Sequence, residues 1–195
     1  ACGIEIDTLR NPIGKQDQYA AAFGGMNYIR FNSDGTVKVD RIPCSRDLFK
    51  HIESHSLMVY TDQQRSASEI LDKQTKGTGD KLAVLREMRD MAGEMKTIVS
   101  SGANMQDFGR LLDEGWRLKR SLGFGITNSL IDDWYQAAKN AGAIGGKLLG
   151  AGGGGFLYFI APPERHERIL AALGNPKTLP VSFDSQGSRV VFISH

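Results

Sequence analysis

The spacing of apolar and polar residues divides the chain into a mixed opening, a helical middle and a mixed close. After the breaker cluster Asn11-Pro12-Ile13-Gly14, the residues Ala20, Ala21 and Phe23 predict a short helix from Gln16, stopped by Gly24-Gly25. Residues 27–31 and 36–40 alternate with period two around Ser33-Asp34-Gly35, which predicts a β-hairpin. Residues 47–51 predict a turn or two of helix, and 57–60 a short buried strand. From Arg65 the period lengthens. Ala67, Ile70 and Leu71 predict one helix, and Leu82, Leu85, Met88, Met91, Ala92 and Met95 a second, with Gly77 and Gly79 between them. Phe108, Leu111, Leu112, Gly115 and Leu118 mark a third. Leu130, Trp134, Ala137, Ala138 and Ala141 mark a fourth, capped by Asn128 or Ser129 and stopped by Gly142. Residues 147–149 and 156–161 then read as strands joined by glycines, Pro162-Pro163 opens a helix through Leu173, and 179–183 and 189–193 close as strands. Strands, a helical block, then strand, helix and strand make an α+β plan.

Composition narrows the classes. With 41% apolar and 24% charged residues the chain is not disordered, and 195 residues fit one large domain or a domain with part of another. A net charge of +2 argues against an electrostatic nucleic-acid binder. The longest apolar run, 156–161, is far short of the ~20 residues of a membrane span, so neither nucleic acid nor a membrane is an expected partner. Glu5, Asp7 and Arg10 stand where a signal peptide would be apolar. Cys2 and Cys44 form neither a disulfide framework nor a metal motif, which reads as a reducing, cytoplasmic setting. The opening at Ala1, in mid-pattern at Ile4-Glu5-Ile6, reads as a processed or excised start.

Three stretches could carry chemistry. In Gly14-Lys15-Gln16-Asp17-Gln18 an acid stands just inside a helix start, where the dipole favours it by ~0.3–1 kcal/mol. Asp17 is then either a capping acid or a group that orients or deprotonates a hydroxyl, with Lys15 as charge partner. Around Gly152-Gly153-Gly154-Gly155 the glycines exceed what a hairpin needs. Their backbone either cradles an anion through successive N–H groups or packs closely at a crossing. The stretch is not a Walker A loop, since Leu148 follows Lys147, and a strand rather than a helix follows the glycines. Arg65, at a helix start and against the dipole, either meets an anion or is solvated. The pair His51 and His55, the run Arg117, Lys119 and Arg120, and the acids Asp132 and Asp133 read as polar helix faces and a first turn. Met88, Met91 and Met95 read as core.

Gly14-Lys15-Gln16-Asp17-Gln18-Tyr19 running into Ala22-Phe23-Gly24-Gly25, and Lys147-Leu148-Leu149-Gly150-Ala151 running through the glycines to Phe156, resemble the GHMP kinases, the superfamily of galactokinase, homoserine kinase, mevalonate kinase and phosphomevalonate kinase. Arg65-Ser66-Ala67, Trp116-Arg117-Leu118-Lys119-Arg120-Ser121-Leu122, and Ile131-Asp132-Asp133 leading to Gly145-Gly146 are similar to the branch acting on D-glycero-D-manno-heptose 7-phosphate. The resemblance covers nearly all of the chain. It implies a ferredoxin-like C-terminal domain with an inserted helical block at residues 26–195, after the tail of an N-terminal kinase domain at 1–25 that carries the Asp motif. It implies an ATP- and Mg²⁺-dependent transferase that phosphorylates the anomeric hydroxyl of that heptose phosphate. L-fucokinase or another GHMP small-molecule kinase is the alternative within the family. A non-catalytic ferredoxin-like ligand-binding domain is the alternative outside it.

By the same resemblance Asp17 is the catalytic Asp facing the acceptor hydroxyl; Lys15 beside it is read as the charge that holds it ionised. Gly152, Gly153, Gly154 and Gly155 lie near the substrate and the transferred phosphate, and Arg65 lies on the acceptor side. The implied partners are ATP and a sugar or sugar phosphate, with a homodimer allowed; no metal ligand is expected from this chain. The family's Pro-x-x-x-Gly-Leu-x-Ser-Ser phosphate loop does not occur in the sequence. Against the family the chain begins about halfway, so most ATP and Mg²⁺ contacts are expected upstream and this piece alone is expected to be inactive.

Overall fold

A computed structural model describes residues 2–10, 13–63, 81–123 and 125–191. The helix expected at Ala67, Ile70 and Leu71 lies outside the described residues, as does Arg65. Ile4-Glu5-Ile6 sits in a π-helical turn, Gly3–Thr8. Helix α1 spans Gln16–Phe23, and Gly24 ends it with φ 61°. Strands β1 (Asn27–Phe31) and β2 (Val37–Arg41) pair antiparallel, with Ile29 opposite Val39. Their turn is held by Asp34, whose carboxylate accepts from the Thr36 N–H at 2.9 Å and its hydroxyl at 2.6 Å. Helix α2 (Arg46–His55) is longer than the sequence pattern suggests. The Ser45 hydroxyl accepts from the Leu48 N–H at 3.1 Å, and that cap starts the helix one residue earlier.

Strand β3 (Ser56–Tyr60) precedes the helical block: α3 (Leu82–Ser100), α4 (Met105–Ser121) and α5 (Ser129–Ala141). Side chains at the helix starts supply the acceptors that orphan N–H groups need: Asn104 for Gln106 and Asp107, and Asn128 for Ile131. Gly142, left-handed at φ 120°, stops α5. Strands β4 (Gly145–Leu148) and β5 (Phe156–Ile160) come next. Pro163–Arg165 forms a 3₁₀ turn before α6 (His166–Ala172), and β6 (Thr178–Leu179) completes the sheet.

The four-stranded sheet has the order β4-β5-β3-β6, antiparallel throughout. Its chain order is β, helical block, β, β, α, β. That is the ferredoxin-like arrangement with α3, α4 and α5 inserted into the first crossover. Period-two alternation divides the residues of β5 between two cores. Leu157 and Phe159 join Trp116, Ile131, Tyr135, Ala138 and Leu148. Ile160 and Tyr158 join Ile52, Val99, Met105 and Phe108. Met88 and Met95 pack half-buried against these two cores.

The chain's end departs from the expected pattern. Of the strand read at 179–183, Leu179 alone pairs, because Pro180 has no N–H for a ladder. Phe183 instead stacks on Phe49 with ring centroids 4.9 Å apart, and its N–H is accepted by Glu53 at 2.8 Å. Residues 189–191 form no strand, and Val190 and Val191 are exposed; 192–195 lie outside the described residues.

Helix α4 lies on strand β4 through two glycines. A Cβ at Gly145 would stand 2.7 Å from the carbonyl carbon of Gly109, closer still to its oxygen, and 3.0 Å from Asp113 Cβ. A Cβ at Gly109 would stand 2.6 Å from Ile144 Cγ2. Only hydrogen at both positions lets the helix approach this near.

Candidate active site

A cleft of about 1020 Å³ opens between the first turn of α1 and the ends of α4 and β4. Glu5, Gly14, Gln16, Asp17 and Gln18 line one side; Lys119, Lys147, Leu149, Gly150 and Ala151 line the other. Asp17 stands in the first turn of α1, where the helix dipole favours an anion. It does not cap the helix. Lys15 holds the N-cap position without a side-chain bond, and among the described residues no protein donor engages the Asp17 carboxylate. Asp17 thus keeps the dipole-favoured first-turn position without holding the N-cap, and its carboxylate lines the cleft.

Gln18 is fixed by its neighbour. Its Nε2 donates to Glu5 Oε1 at 3.0 Å, which settles the orientation of the amide. Its Oε1 is then an acceptor buried at the cleft wall with no protein partner among the described residues.

The opposite wall is cationic. The sequence pattern puts Arg117, Lys119 and Arg120 together on a polar helix face; the structure separates them. Arg117 pairs with Asp113 at 3.4 Å and Arg120 with Asp132 at 3.0 Å. Lys119 turns inward, and its Nζ donates to the Gly150 carbonyl at 2.6 Å. Burial, and then the charge of Lys147, lower its pKa to about 8. Lys147, whose neighbour Leu148 is fully buried in the core, has its own pKa lowered by burial. One signal for Lys119 is legible: Phe108, Leu112, Gly115 and Lys119 fall at i, i+4, i+7 and i+11, so this lysine interrupts an apolar stripe.

Beneath this wall a single carboxylate ties the elements together. Asp113 accepts from the Tyr135 hydroxyl at 2.7 Å and pairs with Arg117 and with Lys139 at 3.5 Å. Burial, together with the Asp113 carboxylate, pushes the Tyr135 hydroxyl pKa well above its ordinary value, so it stays a neutral donor. Helices α4 and α5 are joined here beside strand β4.

The other expected site residues divide. Lys15 is exposed, and among the described residues it makes no ion pair with Asp17; the cations on the cleft are Lys119 and Lys147. The glycines 152–155 follow the lining residues Gly150 and Ala151 and do not themselves line the cleft. The Gly153 N–H donates to Ile126 O at 2.8 Å and the Gly155 N–H to Gln63 O at 2.9 Å. A Cβ at Gly152 would stand 2.8 Å from Ile126 Cα, and one at Gly154 would stand 2.9 Å from the Gln63 carbonyl carbon. This is the close backbone crossing, and two of the N–H groups read as an anion cradle are already donated to protein. Among the described residues no three His, Cys, Asp or Glu side chains converge. The rings of His51 and His55 lie tilted against each other on α2, with centroids 4.6 Å apart.

Residues 83–177 match the family described as GHMP kinases C terminal. The chain is 29% identical over 172 residues to the D-glycero-alpha-D-manno-heptose 7-phosphate kinase of Campylobacter jejuni, covering 87% of this chain and 50% of that protein. It is 29% identical over 171 residues to the L-fucokinase/L-fucose-1-P guanylyltransferase of Bacteroides fragilis, covering 82% of this chain and 17% of that one. The crystal structure of a D-glycero-D-manno-heptose 1-phosphate kinase from Bacteroides thetaiotaomicron superposes with a TM-score of 0.70 at 29% identity, covering 95% of this chain and 51% of that one. The chain spans about half or less of the length of these relatives.

Proposed function

We propose that this chain is the acceptor-side part of an ATP-dependent GHMP sugar kinase that phosphorylates the anomeric hydroxyl of D-glycero-D-manno-heptose 7-phosphate. One observation carries the reading: the Asp17 carboxylate opens on the same cleft as two lysines that have no carboxylate partner among the described residues. In the proposed reaction Asp17 orients the acceptor hydroxyl and takes its proton. The hydroxyl oxygen attacks the γ-phosphorus of ATP, the bond to the bridging oxygen breaks, and ADP leaves. The positive wall favours the charge carried by the transferred group. Mg²⁺ is proposed to arrive on the nucleotide phosphates, since it commonly keeps several waters and few protein ligands.

The same reading takes residues 1–25 as the end of the N-terminal kinase domain and 26–195 as the C-terminal domain. Arg65 and the glycines 152–155 stay proposed substrate-side residues and Lys15 a proposed partner of Asp17. The setting is cytoplasmic, and a homodimer is allowed. L-fucokinase is the second reading, supported by the similarity to the Bacteroides fragilis protein.

The test is turnover by the full-length gene product on heptose 7-phosphate, L-fucose and galactose, as wild type and as Asp17→Asn. The variant is expected to lose at least ~10²-fold in kcat on the heptose phosphate while its KM for ATP holds. Preferred turnover of L-fucose by the wild type transfers the assignment to fucokinase. Near wild-type turnover in the variant removes Asp17 from the chemistry, and the absence of turnover on any sugar leaves a ligand-binding domain.

A further inference from the structure

We infer that Lys119 and Lys147 form a subsite for a phosphate dianion on the cleft wall facing Asp17. The inference rests on the kinase reading for its setting, and on the pairing of charges for its substance. Helix α4 carries four basic residues, and three are matched. Arg110 lies 3.4 Å from Glu94 and 3.6 Å from Glu114, Arg117 reaches Asp113, and Arg120 reaches Asp132. Lys119 is the exception. Its one protein acceptor among the described residues is the neutral Gly150 carbonyl, and its ammonium keeps two further N–H donors. The Lys147 side chain makes no hydrogen bond or ion pair among the described residues; it lines the same cleft as Lys119, and its charge acts on Lys119.

Two like charges drawn from water and set side by side oppose folding unless a counter-charge enters. The Gly109–Gly145 contact clamps α4 to β4 and so keeps the two lysines together rather than letting them separate. Among the described residues no carboxylate lies within 4 Å of either lysine, although Asp17 and Glu5 line the far side of the cleft. What fits is an anion of charge about −2 that can accept several N–H donors at once, the description of a phosphate monoester. That lysines stand here, as compact point charges, suits a group whose orientation changes during transfer better than the fixed fork of arginine would. Two sources share this chemistry: the phosphoryl group in transfer, and a phosphate the acceptor already carries.

The experiment titrates the full-length gene product with inorganic phosphate, mannose 1-phosphate and mannose 6-phosphate, following the lysine side chains by NMR and the affinity by calorimetry. The expected result is saturable binding that moves the Lys119 and Lys147 signals. Lys119→Met and Lys147→Met should each weaken it by about 10-fold or more, the scale of one charge-assisted bond. Lys119→Arg should restore most of it, and thermal melts verify that each variant is folded. Preference for the 1-phosphate assigns the subsite to the transferred group, and preference for the 6-phosphate assigns it to the acceptor's own phosphate. Unmoved lysine signals, or Met variants that bind as the wild type does, overturn the inference. That failure is separate from failure of the kinase reading, which the Asp17→Asn kinetics decide.

Discussion

Replacing Gly145 with alanine tests the contact on which the cationic wall depends. The new Cβ would stand 2.7 Å from the Gly109 carbonyl carbon, where unstrained carbon atoms keep about 3.5–4.0 Å. Neither partner is a side chain that can rotate away, so α4 and β4 must separate by about 1 Å. Overpacking of a core by side chains costs about 1–3 kcal/mol, and a clash of two backbones stands at or above the top of that range. A loss of about 3 kcal/mol lowers the melting temperature of a chain this size by about 6–12 °C. Helix α4 contains its own control. At Gly115 the nearest atom to an added Cβ is Met91 Cε at 3.6 Å, an ordinary contact. Gly115→Ala should therefore gain about 1 kcal/mol from helix propensity alone. Thermal denaturation of the two variants beside the wild type is the assay, with phosphate affinity as a second readout, since separating α4 from β4 moves Lys119 away from Lys147. If Gly145→Ala melts with the wild type, the close approach does not hold the helix in place.

Lys119 has a pKa of about 8 in the fold against 10.5 for an ordinary lysine, so the folded chain binds fewer protons than the unfolded chain between those values. Its penalty is full below pH 8 and is relieved as pH rises above it. Stability measured by urea titration from pH 7 to 9 should rise, and Lys119→Met should be more stable at pH 7 and lose that part of the slope; an identical slope in the variant refutes the assignment. Asn128→Ala removes the α5 cap and the bond from Asn128 Nδ2 to Gln63 Oε1 at 2.8 Å, and should cost about 1–2 kcal/mol in the same titration, a neutral result meaning that neither bond matters.

Much of the fold is legible in the sequence because local chemistry decides it. The hairpin comes from alternation around Asp34-Gly35, and α5 from Asn128 at one end and Gly142 at the other. The closing strands are not legible, because β propensity at Val181, Phe183 and Val190 says nothing about whether an unpaired edge remains to receive them, and Pro180 interrupts the one that does. Asp17 can be found from its motif, but its freedom from capping cannot, since that depends on which side chain takes the N-cap position. Lys119 is legible only in part, as the residue that interrupts the stripe of Phe108, Leu112 and Gly115. In the run Arg117-Leu118-Lys119-Arg120 charge alone does not say which side chain points inward; the rotation of α4 against β4 does, and that is set by the pair Gly109 and Gly145, far apart along the chain.

The crossing at residues 152–155 has a mechanical consequence. Runs of glycine ordinarily mark a hinge or a flap. Here the segment is fastened at two points, by Gly153 to Ile126 and by Gly155 to Gln63, while the Gly155 carbonyl accepts from both the N–H and the hydroxyl of Thr61, each at 2.9 Å. A segment so bonded behaves as a fixed rail, with local opening energies nearer those of a strand than of a loop. The adjoining Leu149-Gly150-Ala151 wall inherits that stiffness, and Lys119 is anchored to it. Widening or narrowing of the cleft is then left to the side that carries α1, a helix with no buried residue of its own.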